Sequence, residues 1–440
     1  MSLLIRNGTV VTMNDAMDVV SADVWVDDGR IVSVGAAPRD ARPSKVIDAT
    51  GAIVLPGFVQ THIHLCQTLF RGLADDRTLL SWLKERVWPL EAAHDERSLA
   101  AAARLAAAEL LLGGTTTVLT METVHGTDAV FDALGPTGLR AVVGKCMMNT
   151  RGDAPSRLFQ PAKDAIDESL ALHARWNGAA NGRLRAAFAP RFAISCTRDL
   201  LEATASASAE HGMLVHTHAS EQREEIAVVR AQTGRENLEY LADVGLATER
   251  LCAAHCVWIS DAERRLLAER QVKVLHCPGS NLKLGSGIAP VPELRQLGIS
   301  VSIGADGAAC NNTLDMFQEM RLAATLQAQR LGPGALPARD VVWMATREGA
   351  RALGLDAEIG SIAPGKRADV IVVGTRGVHQ VPGRDPYSVL VYASRPTDVM
   401  ATIVDGHVVA ERGELAWADP VAIAVEALEA ARVLIGRAGL

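Results

Sequence analysis

The feature that most constrains this chain is a repeat. Between residues 57 and 306, short apolar, β-branched runs alternate eight times with longer alanine- and leucine-rich segments flanked by charge. The runs cover 57–64, 115–120, 139–147, 184–189, 214–220, 252–257, 272–277 and 301–306, and segments such as 97–112, 200–209 and 261–270 carry the helical pattern between them. Apolar strands separated by helices read as βαβ units, with parallel strands buried on both faces. Eight such units is the number that closes a TIM (β/α)8 barrel.

The two ends of the chain read differently. Strands are expected at 3–13, 23–26 and 30–34, with turns at Asn14-Asp15 and Asp27-Asp28-Gly29. Beyond Pro364-Gly365-Lys366-Arg367 they are expected at 368–373, 399–404 and 407–410, with a turn at Asp405-Gly406. The fold class is therefore α/β. Residues 56–364 form the barrel, and residues 1–55 plus 365–440 combine into a small β-sandwich domain with a C-terminal helix. At 440 residues the chain exceeds what one ordinary core organises, which suits one large and one small unit.

Composition narrows the function classes. A formal net charge of −7 and the lack of any dense Lys/Arg run exclude a basic nucleic-acid footprint. No apolar run is long enough to span a bilayer, and the N-terminal residues lack a signal-peptide pattern, so a cytoplasmic enzyme acting away from membranes is expected. The 7 cysteines are odd in number and form no CxxC pair. Reduced thiols fit, with Cys256 and Cys277 as small buried hydrophobes.

Histidines supply the chemical signal. His62 and His64 stand two residues apart at the end of the first barrel run, where strand alternation points both to one face. His216 and His218 repeat the spacing at the fifth, and His255 and His276 end the sixth and seventh. Randomly scattered, the 12 histidines give about a third of one His-x-His pair, so two pairs at strand ends exceed chance. Asp306 closes the eighth run in Gly304-Ala305-Asp306-Gly307, where a barrel places catalytic groups. Zinc takes neutral imidazole and carboxylate ligands with one position left for water, and lowers the pKa of that water to about 7. A carboxylate must then move protons. Asp306 can accept the water's proton, Glu221 can protonate a ring nitrogen and then the leaving amine, and His255 can hydrogen-bond the attacking oxygen. Each has a plainer alternative: Asp306 as a turn residue, Glu221 as a first-turn helix acid, His216 as a structural residue, and His276 as a packing or supporting one.

The stretches Pro56-Gly57-Phe58-Val59-Gln60-Thr61-His62-Ile63-His64, His218-Ala219-Ser220-Glu221, Ala254-His255-Cys256 and Gly304-Ala305-Asp306-Gly307 together resemble the successive motifs of the metal-dependent amidohydrolase superfamily. His276-Cys277-Pro278-Gly279-Ser280-Asn281-Leu282-Lys283-Leu284-Gly285-Ser286-Gly287 and Asp306-Gly307-Ala308-Ala309-Cys310-Asn311-Asn312 are similar to its S-adenosylhomocysteine/5′-methylthioadenosine deaminase branch. The resemblance covers nearly the whole chain. It implies one metal per subunit, Zn2+ with Fe2+ or another divalent ion as alternatives, held by His62, His64, His218 and Asp306. Glu221, His255 and Asp306 are the catalytic groups it implies. No lysine ends the fourth run, which speaks against a carboxylated-lysine, two-metal site.

The implied activity is hydrolytic deamination of a purine-type ring with release of ammonia, in a homo-oligomer acting on a small heterocycle. Trp82, Lys145, Arg157, Arg191 and His276 are the substrate-binding candidates, with Lys145 and Arg157 placed to meet an amino-acid carboxylate. One departure bears on the substrate. Pro190-Arg191-Phe192 stands where adenosine-type deaminases carry a His-Ser-Pro-like segment and looks more like guanine deaminases, so guanine, pterin and s-triazine rings, with loss of chloride from the last, stay open as alternatives. A non-catalytic scaffold is the alternative from another class.

Overall fold

The computed structural model describes residues 2–37 and 42–440; Met1 and residues 38–41, part of the expected terminal domain, lie outside the described residues. The barrel strands are β1 (Phe58–His64), β2 (Thr115–Met121), β3 (Arg140–Met147), β4 (Leu184–Pro190), β5 (Val215–Ala219), β6 (Leu251–His255), β7 (Lys273–His276) and β8 (Val301–Ile303), each bonded to its sequence neighbour. Beyond the two residues that follow β8, Gly304 and Ala305, Asp306–Gly307 pairs in parallel with β1, Asp306 opposite Ile63 and Gly307 opposite His64. That pairing brings the sheet back to its first strand and makes the fold a TIM barrel.

The strands read as continuous apolar runs because both faces are covered. Val59, Leu119, Val142, Ala187, Cys252, Ala254 and Leu275 fill the barrel interior together with Leu353 and Ile359. Phe58, Ile63, Val118, Val143, Phe188, Val215 and Val274 face outward onto the helices. Val59 and His62 both point inward although they are three positions apart, an odd interval that strict alternation puts on opposite faces. The register of β1 against β2 slips between Gln60 and Ile63, and this irregularity reverses the alternation so that His62 and His64, rather than Thr61 and Ile63, face the mouth.

Strands from both ends of the chain form one mixed sheet of nine. Leu3–Val11, Val19–Asp27 and Arg30–Gly35 are successive antiparallel partners, Ala52–Pro56 lies parallel to Leu3–Val11, and Val370–Gly374 pairs antiparallel with Ala52–Pro56. Val399–Val404 and His407–Glu411 extend it. Both Asp-Gly turns read from the sequence take the left-handed conformation that two-residue hairpins need, with φ of 46° and 76° at Asp28 and Gly29 and 48° and 74° at Asp405 and Gly406. Strands Lys45–Asp48, Ala52–Pro56 and Glu414–Leu415 are additional to those expected; they are too short to show alternation.

The last helix, Pro420–Ala438, buries Ile423, Ala427, Ala430 and Leu434 at helical spacing, the last three in a cluster with Leu69, Phe70 and Ala101. All seven cysteines are buried and unpaired. Among the described residues no helix is long and apolar enough to cross a membrane.

Candidate metal centre and active site

His62 and His64 end β1, His218 lies near the end of β5, and Asp306 follows β8. One ligand atom from each lies within 4.8 Å of all the others, and all four side chains are buried. His62 Nε2 is 3.3 Å and His64 Nε2 3.2 Å from Asp306 Oδ1, and the Nε2 atoms of His64 and His218 are 3.3 Å apart. Close approach of β8 to β1 depends on Gly304, where a Cβ atom would stand 2.5 Å from the His62 carbonyl oxygen.

The other ring nitrogen of each histidine decides its tautomer. His64 Nδ1–H donates to the Met121 carbonyl at 2.8 Å, and His218 Nδ1–H donates to the Arg191 carbonyl at 2.7 Å. His62 works through a relay: His216 Nδ1–H donates to the Thr120 carbonyl at 3.2 Å, which leaves His216 Nε2 to accept from His62 Nδ1–H at 2.6 Å. Three Nε2 lone pairs therefore face one carboxylate. Carbonyls and a second imidazole in this role orient and strengthen metal ligands. His62 Nε2 is buried without any hydrogen bond, the state expected of an atom kept for a cation.

Electrostatics agree with that donor set. Burial pushes His62 down to about 4, and burial with neighbouring imidazoles holds His216 and His218 well below the usual histidine value, so the rings are neutral. Burial alone would raise Asp306, but positive charge at the His62 and His64 side of the site draws its carboxyl well below the usual carboxylate range. Neutral imidazoles around an ionised carboxylate are what a divalent cation requires. The residues present thus fit one metal ion.

Glu221 and His255 stand beside this set. His255 Nε2 lies 3.5 Å from Glu221 Oε2 and 3.9 Å from Asp306 Oδ2. Burial raises the Glu221 carboxyl, although His255 opposes the shift. Burial would lower His255, but the Glu221 and Asp306 carboxylates outweigh it and raise the ring above its usual value. Ser220, His255, Cys256 and Asp306 all have positive φ, between 48° and 72°. Such strain, of order 1 kcal/mol or more per residue, gathers at functional sites. At His255 it ends the alternation of β6 and turns the ring into the mouth.

The substrate-side candidates are dispersed. Trp82 is buried among Leu69, Phe70 and Leu79, and its indole N–H donates to the Ala309 carbonyl at 3.3 Å. Lys145 is buried, with Nζ donating to Gln160 Oε1 at 2.6 Å and standing 3.6 Å from Glu168. Arg157 donates to the His94 carbonyl at 3.0 Å and lines a cavity of about 150 Å³ with Glu91, His94, Thr123 and His125. His276 is buried with neither ring nitrogen hydrogen-bonded. The guanidinium of Arg191 is bidentate on Glu91, both side chains 1% exposed, and Gln67 Nε2 donates to the same carboxylate at 3.0 Å.

Glu91 and Gln67 were not singled out from the sequence, and neither were Ser280, Asn281 and Ser286, which hydrogen-bond to Asp306, His255 and Glu221 respectively. The signal for the last three was the unusually specific 276–287 stretch itself.

A model of the Amidohydrolase family matches residues 53–409. A curated 5'-deoxyadenosine deaminase of Methanothermobacter thermautotrophicus is 42% identical over 91% of this chain and 92% of its own length. A 5-methylthioadenosine/S-adenosylhomocysteine deaminase of Symbiobacterium thermophilum is 41% identical over 93% of each. Among solved structures, an adenosine deaminase from Xanthomonas campestris with bound zinc superposes with a TM-score of 0.92 at 34% identity, covering 99% of this chain and 98% of that one.

Proposed function

Since the chain belongs to the amidohydrolase family, we propose that its barrel mouth is the centre of a metal-dependent hydrolytic deaminase that replaces the exocyclic amino group of an adenosine-type substrate with oxygen. 5′-Deoxyadenosine, 5′-methylthioadenosine and S-adenosylhomocysteine are the leading substrates. The observation that carries this reading is the convergence of His62, His64 and His218 Nε2 on Asp306, with Glu221 and His255 adjacent.

His62, His64, His218 and Asp306 would hold one divalent ion, whose Lewis acidity makes a water molecule acidic enough to react near neutral pH. Three imidazole nitrogens and one carboxylate oxygen suit Zn2+, with Fe2+ the alternative. Asp306 takes a proton from the attacking water, and His255 holds the oxygen by a hydrogen bond. Glu221, which burial pushes toward its protonated form, gives a proton to the ring nitrogen next to the reacting carbon. It recovers one from the added hydroxyl as the new C=O forms and passes it to the departing amine. The proton taken by Asp306 then restores Glu221, so that one water is consumed and one ammonia released. Burial in the barrel keeps bulk water from competing for these protons.

A second reading is a lactam-bearing ring such as guanine. Arg191 Nε–H and Gln67 Oε1, on two side chains that both bind Glu91, are each buried and unpartnered, and a ring C=O/N–H edge takes one donor and one acceptor. On either reading the cytoplasm is the proposed compartment, supported by seven unpaired cysteines, and a homo-oligomer is proposed, supported by Val421, Val425 and Leu428 exposed along the last helix.

The test is ammonia release from a panel of adenosine-type nucleosides, guanine, a pterin and an s-triazine, with chloride release followed for chlorinated triazines, alongside metal analysis of the purified protein. Glu221→Gln is expected to keep stoichiometric metal and lose turnover by about a hundredfold or more. Normal turnover by that variant would remove Glu221 from the chemistry.

A further inference from the structure

One segment touches all three groups that handle protons. The helix Pro278–Lys283 and the turn 284–287 after it supply Ser280 Oγ–H to Asp306 Oδ2 at 2.7 Å, Asn281 Oδ1 to His255 Nδ1–H at 2.8 Å, and Ser286 Oγ to Glu221 Oε1 at 3.1 Å. We infer that this segment is the positioning template of the reaction, and that Ser286 is the positioning residue that aims the Glu221 carboxyl. The inference rests on the reading of Glu221 as proton donor.

The direction of the Ser286 hydrogen follows from its other neighbour. Gln222 Nε2 donates to Ser286 Oγ at 3.1 Å and to the Leu284 carbonyl at 3.0 Å, so the hydroxyl hydrogen is left for Glu221. Glu221 is held from two sides. Its backbone N–H donates to Glu225 Oε2 at 2.9 Å, and Asn237 Nδ2 grips the other Glu225 oxygen. With Oε1 anchored by Ser286, Oε2 is the oxygen turned toward His255 Nε2. The charged and titratable groups facing Glu221 are His255, Asp306, His64 and Glu225.

The turn itself is fixed from beneath. Ser286 N–H donates to the Asn281 carbonyl at 2.8 Å, and Trp258 Nε1–H donates to the Ser286 carbonyl at 2.7 Å. Gly287 has φ of +123°, and a Cβ there would lie 2.9 Å from the Trp258 ring, so only glycine lets the indole close on this carbonyl. Asn281 thus holds His255 with its side chain and Ser286 with its backbone. A displacement of the turn moves both proton-handling groups together.

The experiment compares Ser286→Ala with the isosteric pair Ser286→Thr and Ser286→Val, using whichever compound of the panel is turned over. Loss of one hydrogen bond to an ionisable group lowers kcat about ten- to a hundredfold in Ser286→Ala, with KM within about threefold and metal content unchanged. The hydroxyl opposes the upward shift of Glu221, so its removal moves the alkaline limb of kcat/KM to higher pH, because an acid with a raised pKa stays protonated longer. Threonine keeps the hydroxyl and retains most of kcat; valine behaves as alanine does. The isosteric pair decides the matter even where Ser286→Ala fails to fold. Equal rates in the Thr and Val variants, or a Ser286→Ala enzyme with wild-type kcat and pH profile beside an inactive Glu221→Gln, would overturn the role of the turn. If Glu221→Gln itself turns over normally, the proton-donor assignment falls first and the template falls with it.

Discussion

The two ends of the barrel bury charge for opposite purposes. At the N-terminal end, Arg140 opens β3 and donates to both oxygens of Asp369 at 2.9 and 3.1 Å and to Asp405 at 2.6 Å, with Arg140 and Asp369 3% and 1% exposed. Asp369 accepts in addition from the Asp405 backbone N–H, and its own carbonyl takes the Gly57 N–H, so the network joins the barrel to the terminal sheet. At the C-terminal end the burial is as deep, yet His62 Nε2 and His255 Nε2 have no hydrogen bond. The first network pairs both Asp369 oxygens with protein donors and ties the barrel to the terminal sheet, with Asp405 Oδ2 the atom left without a hydrogen-bond partner at its edge. The second leaves unpartnered the atoms that the proposed function assigns to a metal and a substrate, at the end where barrels of this class do chemistry.

Three experiments break or sharpen that comparison. The largest effect is expected at the mouth: His64→Ala removes one of four ligands and is expected to lower turnover about a thousandfold or more together with metal content, while the unfolding midpoint of the metal-free protein changes little. A metal-free midpoint that collapses would show the mouth to be structural. Next, Arg140→Met leaves Asp369 without its cation, while Arg367 still pairs with Asp405 at 2.9 Å, and is expected to destabilise the fold by about 3–5 kcal/mol in urea titrations, with kcat per folded, metal-loaded molecule unchanged. A drop in kcat without loss of stability would erase the contrast between the two ends.

The smallest effect is in pH. Burial pushes His94 down to about 4 and His276 to about 3, so both stay neutral in the folded chain while the unfolded chain protonates them near the ordinary value of 6.5. Between those values the unfolded state binds more protons, and stability therefore falls as pH drops from about 6.5 toward 4. Through these rings the urea midpoint of the metal-free protein should fall between pH 7 and pH 4.5, and His94→Gln should remove part of that slope. Buried Glu225 and Glu319, raised to about 7 and about 8, act in the opposite sense, so the deciding result is the difference between variants. A slope identical in His94→Gln and the parent would mean that the His94 ring is protonated within the fold.

Much of the fold and the ligand set was legible before any coordinates. Strand period and the βα repeat are local properties, so the eight runs, both Asp-Gly hairpins and the strand-end positions of His62, His64, His218 and Asp306 follow from neighbours in the chain. The substrate side was not legible in the same way. Arg191 read as a fork free to meet a ring acceptor, whereas its two Nη atoms engage Glu91, and Lys145 is held by Gln160.

What the sequence determined by itself is the kind of barrel and which side chains stand at its strand ends, because repeat length acts over a few residues. The slip in β1 and the positive φ of His255, which turn the rings into the mouth, appear only in the structure. The tertiary structure alone decided which nitrogen of each histidine faces the centre, that His216 supports His62, and that one turn serves Asp306, His255 and Glu221 together. The physical reason is that a buried polar atom must find a partner in space, and loops from separate βα units supply it only once the ring of strands has closed.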